Sequence, residues 1–175
     1  MAGSLIKIDE EIVTSAVASV TLTGIDSTYD VYMVKLNNAQ PDTDIVTLET
    51  RFTVSGTPDT SANYDEAFKT LRANTTFNNA TDTNGTGINL GATGTATGEQ
   101  MNALLYLFNF NNASEYSFIT VEGSTLNNDN ILYGRQGGGV LTVAQACNGI
   151  QFFFSSGNIS AGKFTLYGLK KWLMV

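Results

Sequence analysis

Hydrophobic and polar side chains alternate most strictly between residues 46 and 54, where Val46, Leu48, Thr50, Phe52 and Val54 are separated by Thr47, Glu49, Arg51 and Thr53. Successive side chains of a strand point to opposite faces, so the pattern predicts a half-buried strand with one wet face. Upstream, Tyr32, Val34 and Leu36 alternate with Val31, Met33 and Lys35, and the turn-forming residues of 37–42 separate the two runs. Together they predict an antiparallel pair. Shorter β-prone pieces at 5–8, 12–14 and 19–23, stopped by Gly24, predict one or two early strands. Residues 64–73 fit both periods, since Tyr64, Ala67, Phe68 and Leu71 have helical spacing while Tyr64, Phe68 and Arg72 share a strand face; strand is the preferred reading.

Residues 74–98 consist almost wholly of Thr, Asn, Gly, Ala and Asp, with Ile88 and Leu90 as the sizeable aliphatic side chains. A long polar loop is expected, with at most a short edge strand around 88–90. Loops of this length are uncommon in compact domains unless they bind something, which makes Ile88 and Leu90 candidate subunit contacts. Beyond it, 101–110 is nearly continuous apolar sequence, as in a strand covered on both faces. Runs at 116–122, 131–133, 140–143, 150–154 and 163–169 follow, with 127–130 and Gly137, Gly138 and Gly139 read as turns. The expectation is one all-β domain over residues 1–175, with no repeat or linker. It is a two-sheet antiparallel sandwich, jelly-roll-like, of about eight to ten strands with almost no helix.

Composition narrows what such a domain does. Charged residues make up 14% of the chain, against roughly 25% in an average globular protein, so Thr, Ser, Asn and Gly must cover much of the surface. With a net charge of -7 and no basic stripe, nucleic acid is not an expected partner. The N-terminus turns acidic before any apolar stretch of signal-peptide length, and the longest apolar run, 103–108, is far too short to span a bilayer. A soluble protein with no membrane partner is expected.

Candidate chemistry is sparse. The chain has no His, which removes the commonest general base and transition-metal ligand. Its one Cys, Cys147, has no neighbouring cation to favour a thiolate and reads as a small buried side chain. The acid pairs Asp42 with Asp44 and Asp65 with Glu66 read as turn and strand-edge acids, because adjacent strand residues face opposite ways. Asn127, Asn128, Asp129 and Asn130, or Asp82 and Asn84, offer oxygen ligands to Ca²⁺ but lack EF-hand spacing, and turn chemistry explains them equally well. Neither a catalytic site nor a cofactor is expected. Aromatic side chains remain: Tyr106, Phe108 and Phe110 share one face, Phe152 with Phe154 a second, and Tyr116 with Phe118 a third. Core is the ordinary reading; if exposed, they would mark a subunit interface or a sugar platform.

The closing stretch Ala161-Gly162-Lys163-Phe164-Thr165-Leu166-Tyr167-Gly168-Leu169-Lys170 resembles the final strand of a set of tailed-phage virion proteins that end in a Phe-x-Leu-Tyr-Gly-Ile/Leu pattern. The pieces Ser19 to Ile25, Tyr116 to Val121 and Ile150 to Phe154 with its Ser156-Gly157-Asn158 turn are similar to other parts of those proteins. The resemblance implies a jelly-roll-like domain on a phage particle, as a capsid decoration (cement) protein or in the tail apparatus, without shared catalytic residues. Here the chain continues into Trp172, Leu173, Met174 and Val175, an apolar tail read as a further set of subunit-contact candidates. The expected function is a non-enzymatic virion structural protein, oligomeric on the particle, with other virion proteins as partners. The alternative is a tail adhesin domain that binds host carbohydrate.

Overall fold

The computed structural model describes residues 5–170, which contain thirteen strands and no helix. In chain order these are β1 (Leu5–Val13), β2 (Ser19–Thr23), β3 (Val31–Pro41), β4 (Val46–Val54), β5 (Thr57–Pro58), β6 (Tyr64–Arg72) and β7 (Asn78–Gly85). They continue as β8 (Ile88–Thr93), β9 (Met101–Phe108), β10 (Ser117–Leu126), β11 (Leu132–Leu141), β12 (Gly149–Phe154) and β13 (Ile159–Leu169). Eight form a large sheet in the order β1-β13-β3-β9-β10-β11-β6-β7, and the rest a smaller one in the order β2-β12-β4-β5, with β8 also beside β4. Every strand pair is antiparallel. The expected two-sheet antiparallel sandwich is what the chain forms.

One hydrophobic cluster joins the two sheets. The predicted alternation holds through Phe52, with Val46, Leu48, Thr50 and Phe52 buried, and breaks at the strand's end, where Thr53 is buried and Val54 only half-buried. Phe52 on the smaller sheet meets Tyr64 edge-on at 5.5 Å and Phe110 at 4.4 Å, and Phe152 reaches Phe164 of the large sheet at 5.5 Å. These rings carry much of the apolar contact across the sandwich, because large aromatic side chains bury the most area.

Several expectations change. The runs at 31–36 and 46–54 are not partners: β3 pairs with β13 and β9 in the large sheet, whereas β4 pairs with β12, β5 and β8 in the smaller one. Turn-rich 37–42 mostly extends β3, and the chain then crosses between sheets. That crossing is clasped to the one between β12 and β13. Asp42 accepts hydrogen bonds from the Asn158 backbone N–H (2.8 Å) and side-chain amide (2.9 Å), while its own N–H donates to the Asn158 carbonyl (2.9 Å).

The expected long loop at 74–98 contains β7 and β8 instead. Polar Thr and Asn are compatible with an edge strand such as β7, whose side chains stay largely wet. The three glycines at 137–139 are not a turn either, since all lie within β11. Their service is thinness. A Cβ on Gly139 would lie 2.7 Å from Ile88 Cδ1, so β8 packs down onto β11 only because the side chain is missing.

Candidate interaction surface

The expected contact residues separate into two groups. Ile88 and Leu90 are both fully buried, so neither is available to another subunit; they fill the core where β8 covers the large sheet. Trp172, Leu173, Met174 and Val175 lie outside the described residues. Cys147 is buried and its thiol is pushed up by that burial.

The candidate acids are engaged in local bonding. Asp44 accepts from the Thr95 N–H (3.0 Å), and Asp65, on the opposite face of β6 from Glu66, accepts from the Asn84 N–H (2.9 Å). In the 127–130 turn, the Asn127 side-chain oxygen accepts from the backbone N–H groups of Asp129 and Ile131, ordinary Asx-turn bonding. Among the described residues no group of three or more His, Cys, Asp or Glu is gathered as metal ligands would be.

The aromatic side chains divide by strand face, and this division builds a surface. On β9, Met101, Ala103, Leu105 and Leu107 face the core, while Asn102, Leu104, Tyr106 and Phe108 are half-buried on the outside. Thus 101–110 is not covered on both sides. On β10, Ile119 and Val121 point in, and Phe118, 43% exposed, points out.

Because opposed residues of an antiparallel pair share a face, the register lays out the outer face of the large sheet in rows. One row is apolar: Val31, Phe108, Phe118 and Val140 stand side by side across β3, β9, β10 and β11. The next runs Tyr167, Met33, Tyr106, Thr120 and Gly138. The third is charged, with Glu10, Thr165, Lys35, Leu104, Glu122, Gln136 and Lys69 on seven successive strands.

The third row has a symmetry of its own. About Leu104 at its centre, Lys35 mirrors Glu122 and Glu10 mirrors Lys69, each of these charges matched by its opposite, while uncharged Thr165 mirrors Gln136. Lys35 and Glu122 are exposed and form no ion pair within the chain among the described residues. Glu10 is already held by Lys163 (3.1 Å) and Lys7 (3.3 Å), and the Lys163 bond above all lowers its carboxyl pKa.

The outer face of the smaller sheet offers the contrast. It presents Thr21, Gln151, Thr47 and Glu49, and its aromatic ring, Phe153, is covered by Arg51 at 4.1 Å. The face shared by Tyr106 and Phe108, for which core was the ordinary reading, is the outer one, whereas Phe110, expected on the same face, is buried against Phe52 in the core. Asn102, on the same parity as Tyr106, was the signal that the outer side was wet.

Compared with known proteins, the chain matches no family model, no curated protein and no solved structure.

Proposed function

We propose that this chain is a non-enzymatic structural subunit of a virion, of the kind that decorates tailed-phage capsids, and that it joins a second copy through the outer face of its large sheet. The observation that carries the reading is the self-complementary layout of that face. A two-fold axis parallel to β9 would lay β3 of one copy over β10 of the other. Lys35 then meets Glu122, Val31 meets Phe118, and Tyr106 and Phe108 meet their own copies. An isologous interface requires this kind of self-matching, and here an apolar row lies beside a charged row whose opposite charges stand either side of Leu104. Placement on a virion is supported by the resemblance of the closing strand, which lies within the large sheet between β1 and β3.

Sedimentation across a concentration series tests the contact. The native chain should associate, and Lys35→Glu should weaken association at least about tenfold, roughly 1.4 kcal/mol. Lys35→Glu combined with Glu122→Lys should restore it, since the swap keeps opposite charges face to face. A chain that stays monomeric throughout, or a swap that restores nothing, overturns the contact. Co-purification of the chain with intact particles tests the placement, and its absence from them overturns it.

A further inference from the structure

We infer that the cleft where β8 meets the end of β6 and β11 is a binding site for an acidic saccharide unit, a hexuronate in chemical class. Over most of the sandwich the inner face of the large sheet is apolar. At this end it turns polar: Thr70 and Arg72 on β6, Tyr133 and Arg135 on β11 and Asn78 on β7 face a space of about 300 Å³, with Asn89 of β8 opposite. That volume is at the small end of ligand sites and suits a single sugar ring.

Two guanidinium groups set the charge. Arg135 stacks over Phe68 at 4.2 Å, donates to the Asn89 carbonyl at 2.9 Å and pairs with buried Glu66 at 3.4 Å, so its charge is balanced. Arg72 lies over the Tyr133 ring at 4.6 Å and has no ion pair among the described residues. The cleft therefore keeps one positive charge within a chain of net charge -7. The Nε atoms of both arginines are buried without a hydrogen-bond partner.

Buried N–H donors are normally satisfied, and a buried charged donor left unpaired is costly. The Arg72 Nε–H is sealed from outside, so what the guanidinium held on the Tyr133 ring offers a ligand is its terminal Nη pair, a fork that fits a carboxylate in two parallel bonds. The Thr70 hydroxyl and the Asn78 and Asn89 side chains then surround that point with the mixed donors and acceptors that sugar hydroxyls need. A bare anion would leave these unused, and a neutral sugar would leave the Arg72 fork unpaired.

Titration of the purified full chain with sodium glucuronate, glucose and sodium acetate, read by amide NMR shifts, separates these cases. Saturable glucuronate binding in the millimolar range is expected, at least about tenfold tighter than glucose or acetate. Arg72→Gln should weaken it at least about tenfold and Asn78→Ala several-fold, with the shifted amides confined to the strands that line the cleft, β6, β7, β8 and β11 above all. Arg72→Gln should leave self-association unchanged, so this site and the subunit contact fail separately. If Arg72→Gln does not fold, Asn78→Ala decides. Equal binding of glucose or acetate, no saturation with glucuronate, or unchanged affinity in the variants overturns the assignment.

Discussion

Phe118 and Ile119 are neighbours on β10 and end on opposite sides of the large sheet. Ile119 is 2% exposed among core side chains, and Phe118 is 43% exposed beside Phe108 and Val140. Both faces of this part of the sheet are apolar, yet one is covered by the smaller sheet and the other by nothing within the described chain. The smaller sheet, by contrast, keeps its own outer face polar. A sheet that needs one buried face for stability does not need a second, and an apolar row open on the described chain is what the proposed contact between copies would cover.

The largest effect should come from reversing that division. Ile119→Ala removes buried volume that the neighbouring strands cannot refill, and should cost about 2–5 kcal/mol in a denaturant melt. Phe118→Ala should cost less than about 1 kcal/mol, because its ring is already partly wet, while reducing association. Were the two substitutions to destabilise the isolated chain equally, the outer face would be core, and the subunit contact would lose its main support.

A middle-sized effect tests how the inner face is fitted. Gly139 faces Ile88 across the sandwich, and an added methyl would have to displace the Ile88 Cδ1 atom. Gly139→Ala should therefore cost about 1–3 kcal/mol by overpacking. Ile88→Val removes that methyl, so the double variant should recover part of the loss, a coupling readable in a double-mutant cycle. Additive costs would mean that β8 does not rest on β11 in this way.

The glycines also show why some of the structure was legible in the chain and some was not. Alternation at 46–54 is local and strong, and the strand it predicts is there. Pairing is not local: the polar residues at 37–42 look like a hairpin turn, yet β13 and β9 occupy both edges of β3 and β4 lies in the other sheet. Ile88 and Leu90 stand in polar sequence that reads at most as a short edge strand, and the seat of Ile88 depends on a glycine about fifty residues away. The outer face needed the register of β3, β9 and β10 before Lys35 and Glu122 could be seen as mirror positions. Arg72 and Arg135 are far apart in sequence and face one cleft because β6 pairs with β11.

The smallest effect concerns what keeps the two faces assigned to their sides. The Asp42 carboxylate clasps the two crossings between the sheets, and the Asn158 backbone N–H, then the Asn158 amide, hold its pKa below the ordinary aspartate range. A group whose pKa is lower folded than unfolded contributes stability above its unfolded value, near pH 4, and loses it as pH falls through the folded value. Asp42→Asn has no such charge to lose, so its stability should fall less steeply below about pH 4 than that of the native chain. The carboxylate is exposed, so the difference will be modest, and both profiles should run parallel near neutral pH. The clasp does not touch the outer face, so Asp42→Asn should leave association at neutral pH unchanged; weaker association of the variant in sedimentation there would mean that the crossings also shape the contact.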